Sequence, residues 1–237
     1  MSGIGTLRED SLHAALKAWY AEPGDQIECE VDGYVIDLVR GDMLIEIQTG
    51  NFSALKQKLA RLLEVHPIRA VYPVAAEKWV VRISPDGEML GRRKSPKHGR
   101  VGDIFRELVH VAALMKHPHF SLEVLLTREE AIWREDGLGS WRRKGRSKAD
   151  RRLLEVVSSS LFERPEDFVA FLPAGLPEVF TVPDLSELTG EPPRMAQKTA
   201  YCLREMGVTE VVGKRGRAPE YRVAPEYRVA PEYRVAP

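Results

Sequence analysis

The chain has 237 residues, 43% of them hydrophobic and 30% charged, with 35 basic residues against 35 acidic ones for a formal net charge of zero. That length allows one large domain or two small ones, the composition is that of a folded soluble chain, and a net charge of zero argues against a general polyanion binder. No apolar run is long enough to span a bilayer, and the start MSGIGTLRED lacks the basic-then-apolar pattern of a secretory signal. The cysteines, Cys29 and Cys202, lie far apart and suggest neither a disulfide framework nor a zinc ribbon. A reducing cytoplasm is the expected location, with no membrane partner.

Taken in chain order, residues 7–21 place Leu12, Leu16 and Trp19 at helical spacing and stop at Pro23-Gly24. Residues 26–31 alternate like a strand. The turn signals Asp32-Gly33 and Arg40-Gly41-Asp42 then separate YVIDLV from MLIEIQ, which predicts a three-strand meander. An amphipathic helix is expected over 53–65, with Leu55, Leu59 and Leu62 on one stripe and Ser53 as its cap. IRAVYPV follows as a buried strand, and residues 79–91 as a hairpin about Pro85-Asp86-Gly87. A helix over 102–116 and a strand FSLEVLLT complete a mixed sheet with helices on its faces.

Residues 128–149 read as a basic linker. Beyond it, RRLLEVVSSSLF and PEDFVAFL read as helices. FTVPDLSELTG gives a short strand and a helix from Asp184, PPRMAQKTAYCLREMG a longer helix, and VTEVVGKRGRAPEYRV two strands. The hexamer APEYRV recurs three times from residue 218. Only its first copy has a strand to finish, so residues 224–237 are expected to be a disordered tail. Basic residues gather at 92–100 (RRKSPKHGR), 142–152 (RRKGRSKADRR) and 214–217 (KRGR), and such clusters can present a positive face to phosphates.

The stretch YVIDLVRGDMLIEIQTG carries the most chemistry. Asp37 ends one apolar strand, and Glu46 and Gln48 lie nine and eleven positions on, two apart and so on one face of the next strand. A tight hairpin brings Asp37 across from them. Two carboxylates and an amide beside apolar strands are costly to bury unless compensated, and a divalent cation compensates them well. Mg²⁺ takes one or two carboxylates, with waters and a carbonyl such as that of Ile47.

This pattern resembles the PD-(D/E)XK nuclease superfamily. Its core is a helix, a three-strand meander, a helix and a further strand, and the order here is similar over about residues 7–75. The resemblance implies phosphodiester hydrolysis with Mg²⁺ or Mn²⁺ held by Asp37, Glu46 and the carbonyl of Ile47. It also implies an acid from the first helix, Glu9, with Glu28 a weaker match. The family's lysine position holds Gln48, as in some restriction enzymes of the superfamily, and Ile36 stands where the motif has proline. Gln48 can position a water by hydrogen bonding and cannot take its proton. Some members move the lysine to the following helix, which makes Lys56 and Lys58 candidates.

Residues 178–223 resemble a winged helix. The resemblance implies that the second helix of its pair enters the major groove with Arg194, Gln197, Lys198 and Tyr201, while Lys214, Arg215 and Arg217 at the wing tip meet phosphates. Arg92, Arg93, Lys94 and Lys97 of the earlier hairpin are further backbone contacts. His110, His117 and His119 lack metal-ligand spacing, and no glycine-rich phosphate loop is present.

The expected fold class is therefore α/β: a restriction-endonuclease-like mixed sheet over residues 1–127, the linker 128–149, a winged helix over 150–223 and the tail. The expected function is a metal-dependent DNA endonuclease, with a catalytically inactive DNA-binding regulator as the alternative. Enzymes that cut both strands are often dimers, so a homodimer is expected.

Overall fold

A computed structural model describes residues 11–141 and 145–228. The first elements are α1 (Ser11–Tyr20), β1 (Gln26–Val31), β2 (Tyr34–Arg40), β3 (Met43–Ile47), α2 (Lys56–Leu62), β4 (Ile68–Ile83) and β5 (Met89–Lys94). They are followed by α3 (Phe105–Leu108), β6 (Phe120–Arg134), β7 (Ser147–Phe162), α4 (Val182–Thr189), α5 (Pro193–Glu205), β8 (Thr209–Arg215) and β9 (Ala218–Val223). A large mixed sheet runs β1-β2-β3-β4-β6-β7 with β5 paired to β4, and β8-β9 form a small second sheet. The chain divides into two compact units, one built from residues 1–49, 71–101 and 124–160, the other from 50–70, 102–123 and 161–237.

In the first unit the meander forms where the turn chemistry dictates. Asp32 and Gly33 take φ of 49° and 80°, and Gly41 takes 62°, left-handed values that Asp and Gly tolerate best. β1 and β2 pair from Gln26–Val39 to Val31–Tyr34, and β2 and β3 from Leu38–Ile45 to Arg40–Met43, both antiparallel. Leu12, Leu16 and Tyr20 of α1 pack on Leu38, Ile45 and Ile47 with Val71 and Leu125. Both ends of α1 are tied down. Asp150 of β7 accepts from the backbone N–H and the hydroxyl of Ser11. Arg40 of β2 donates to the Tyr20 carbonyl at 2.8 Å while holding Asp25, which satisfies orphan groups at the helix ends.

In the second unit Phe105, Phe162, Phe168 and Phe171 form an aromatic cluster with centroids 4.7–6.1 Å apart. α4 begins with a capping box. Asp184 accepts from the Thr181 backbone N–H at 2.7 Å, and Gly190 ends the helix at φ 68°. α5 follows, and the β8-β9 hairpin is extended by a bridge from Phe180 to Tyr221.

Several elements differ from the sequence expectation. Residues 151–162 are not helical; they belong to β7, whose Val156-Val157 and Ser158–Ser160 run is poor helix material. β6 continues through Arg134 and β7 starts at Ser147, so much of the expected linker is sheet. β4 is one strand through Ala75–Trp79, where no turn former interrupts it. The helix expected over 102–116 is 3₁₀ at Val101–Ile104, helical at 105–108 and 3₁₀ again at Ala112–Lys116, broken at β-branched Val109 and Val111. Asn51, rather than Ser53, caps the turn that leads into α2, accepting from Ser53 N–H. The tail is ordered at least to Arg228. Ala224 is buried and donates to the Val208 carbonyl, and a 3₁₀ turn follows at Pro225–Tyr227. Residues 229–237 lie outside the described residues.

Candidate active site and nucleic-acid interface

Asp37 sits one residue past the β2-β3 pair Leu38–Ile45, and there its side chain takes over a backbone role. Its Oδ2 accepts the Ile47 N–H at 2.8 Å. His13 of α1 places Nε2 3.2 Å from the same oxygen and donates to it in the tautomer that carries the proton there. The two contacts share Oδ2, and Oδ1 makes no hydrogen bond among the described residues. Glu46 precedes Ile47 on β3 and is only 5% exposed, while Asp37 keeps 17% of its side chain in solvent. Gln48 follows the last residue of the strand, and its N–H donates to the Val71 carbonyl on β4 at 2.8 Å. Asp37, Glu46, Ile47 and Gln48 are thus gathered by one backbone junction.

Among the described residues no group of three or more His, Cys, Asp and Glu side chains could hold a metal. A cation at Asp37 and Glu46 would complete its shell with carbonyls and water. Glu9 lies outside the described residues. Glu28 stands at φ 53° with its carboxylate on Lys17. Lys56 and Lys58 are on α2, in the second unit.

Sequence reasoning missed two features. One is His13, because a lone histidine on an amphipathic helix carries no signal of its own. The other is a buried ion pair. Glu129 of β6 is fully buried and accepts from Thr127 at 2.7 Å and from Arg151 of β7 at 3.0 Å. Arg151 also donates to the Thr49 carbonyl at 2.7 Å, which ties the chain just past Gln48 to β7. It went unseen because 151–162 read as a helix outside the sheet.

The basic hairpin is partly committed within the fold. Arg92 pairs with Glu130 and Lys94 with Glu77, and both lie over the Trp79 ring at 4.9 and 5.4 Å. Arg93 and Lys97 are exposed and form no ion pair among the described residues.

In the second unit, Arg194, Gln197, Tyr201 and Arg204 share an exposed face of α5 at spacings of three and four. Lys198 instead donates to the Arg106 carbonyl at 2.7 Å. At the hairpin tip Lys214 and Arg217 are exposed without ion pairs among the described residues. Arg215 is held by Glu220 and Asp184.

A family model described as "Domain of unknown function (DUF8091)" matches residues 10–163. An uncharacterized protein of Treponema pallidum (strain Nichols) is 36% identical over 221 residues, covering 92% of this chain and 87% of its own length. No solved structure matches the chain.

Proposed function

The chain belongs to the DUF8091 family, and we propose that it is a metal-dependent DNA endonuclease brought to duplex DNA by a C-terminal winged helix. The observation that carries this reading is the junction at which Asp37 meets the Glu46–Gln48 segment. It occurs in the element order α1, β1-β2-β3, α2, β4, with the four strands in that order in the sheet. That is the order implied by the resemblance to the PD-(D/E)XK superfamily.

The donor set suits a hard cation. Asp37 Oδ1 is open, Glu46 adds a second carboxylate, and Mg²⁺ takes its remaining ligands from carbonyls and water. When bound, Mg²⁺ or Mn²⁺ supplies the positive charge that activates a water and stabilises charge developing on the phosphate. The chain's own residues set the geometry. Ile47 N–H and His13 fix the Asp37 carboxylate from two sides. Arg151 fixes the strand end through Thr49. Gln48 orients the water through its amide, since it cannot accept a proton. No part at Asp37 is assigned to Lys56 or Lys58.

The helix pair α4-α5, the β8-β9 hairpin and the closing bridge at Phe180 support the winged-helix reading. The groove-facing set is Arg194, Gln197 and Tyr201. Lys198 joins it by exchanging its carbonyl partner for DNA, and Lys214 and Arg217 meet phosphates.

Gln48 favours one second reading, an inactive DNA-binding regulator on the same scaffold. The two part on supercoiled and branched DNA incubated with Mg²⁺ or Mn²⁺. The endonuclease nicks it and Asp37→Asn abolishes nicking. The regulator binds it equally well with EDTA and cuts nothing.

A further inference from the structure

We propose that Leu138 and Trp141, in the loop between β6 and β7, form a stacking platform for an unpaired base, so that the preferred substrate is DNA carrying a gap, bulge or branch. The choice of DNA rests on the function proposed above.

Leu138 and Trp141 are 84% and 83% exposed, the most exposed large hydrophobic side chains among the described residues. A single leucine on a surface needs no explanation, but a bare indole with a bare leucine three residues away is an apolar patch that marks a contact site. A built loop displays them. Asp136 accepts the Leu138 N–H at 3.1 Å on Oδ1 and the Ser147 hydroxyl at 2.5 Å on Oδ2. Gly139 N–H donates to the Gly145 carbonyl at 3.1 Å, which closes the chain across the loop on either side of Trp141. A Cβ on Gly139 would lie 1.8 Å from the Arg146 carbonyl oxygen, so only glycine allows this approach. The loop belongs to the same compact unit as Asp37.

Charge points to the partner. Over residues 134–148 the sequence sets Arg134, Arg142, Arg143, Lys144, Arg146 and Lys148 against Glu135 and Asp136. Glu135 is held by Arg82 and Arg146, and Asp136 by the loop itself. A flat aromatic face in a basic setting is the combination that single strands require, stacking for the base and positive charge for the backbone. Inside a continuous duplex both faces of every base are covered by its neighbours. Only an unpaired, terminal or branch-point base offers a face to Trp141, which selects interrupted DNA over intact duplex. A lipid surface fits less well, because such binding grows with buried apolar area, and Gly139 and Ser140 separate just two apolar side chains.

The test is titration of the full chain in EDTA, at several salt concentrations, with two labelled DNAs that differ only in a gap of unpaired bases. The wild type is expected to bind the gapped DNA about tenfold more tightly or better. Trp141→Ala is expected to weaken gapped binding about five- to hundredfold while leaving duplex affinity and the salt slope unchanged, since no charge is removed. Trp141→Phe keeps most of the preference, and Leu138→Ser loses part of it. Melting midpoints stay at the wild-type value in all three, because both side chains are exposed. A Trp141→Ala protein that keeps the preference overturns the platform and leaves the endonuclease standing, as does a wild type that binds both DNAs alike. If the wild type prefers gapped DNA through Trp141 yet nicks nothing in Mg²⁺ or Mn²⁺, the endonuclease falls and the platform stands. If it binds no DNA, both fall, and a blue shift of its tryptophan emission on vesicles of phosphatidylcholine and phosphatidylserine then gives the loop to a lipid surface.

Discussion

Arg151 does two tasks with one guanidinium: it neutralises the fully buried Glu129 and it holds the Thr49 carbonyl beyond Gln48. Removing it leaves the buried carboxylate held, among the described residues, by the Thr127 hydroxyl. Arg151→Ala therefore costs about 3–5 kcal/mol in denaturant unfolding. A loss under about 1 kcal/mol would instead rank the pair with ordinary surface bridges. The same residue marks where the sequence stops being informative. Asp37, Glu46 and Gln48 are legible because their spacing across a short turn puts them at one place whatever surrounds them. Arg151 and Glu129 are 22 residues apart on two long strands, and nothing local signals that those strands carry them together. His13 is hidden for the same reason: its partner Asp37 comes from another element.

Elements whose boundaries depend on local chemistry are the ones the sequence specifies. The Asp32-Gly33 and Gly41 turns fix the meander, and the Thr181–Asp184 box with Gly190 fixes α4. The Thr181 backbone N–H and hydroxyl, with Arg215 beside them, hold the Asp184 carboxyl below the usual Asp range. Its stabilisation is thus complete above the ordinary aspartate value and is lost as pH falls through the lowered native one. Asp184→Ala costs about 1 kcal/mol at pH 7, and the gap between variant and wild-type melting closes in acid. A gap that is constant down to pH 2 would separate the loss from the charge. At the β8-β9 tip, the proposed contact with phosphates predicts that Lys214→Ala and Arg217→Ala each cut the salt slope of duplex binding by about one unit. Arg215→Ala loses less, because Glu220 and Asp184 already occupy that guanidinium. Equal losses at all three positions would contradict this division. β7 eludes sequence reading because its apolar positions fit helix and strand periods alike, and packing decides between them.

At the scale of the whole molecule, the α/β class and the mixed sheet with flanking helices follow from the order of strands and helices in the first part of the chain. The extent of the sheet does not. β6 and β7 reach far past the point where a basic linker is expected, because the sheet recruits Arg128 and Arg151 into ion pairs with Glu77 and Glu129. The family match to residue 163 ends close to the end of β7, at Phe162. Glu46 stands at the centre of the functional account, buried on β3 beside the Asp37–Ile47 contact. The measurement that addresses it most directly is nicking of supercoiled plasmid by wild type and Glu46→Ala in Mg²⁺, with duplex binding followed in the same samples. An endonuclease shows metal-dependent nicking that vanishes in Glu46→Ala while salt-sensitive binding persists. Nicking that survives in Glu46→Ala, or tight binding with no nicking by the wild type in Mg²⁺ or Mn²⁺, contradicts it.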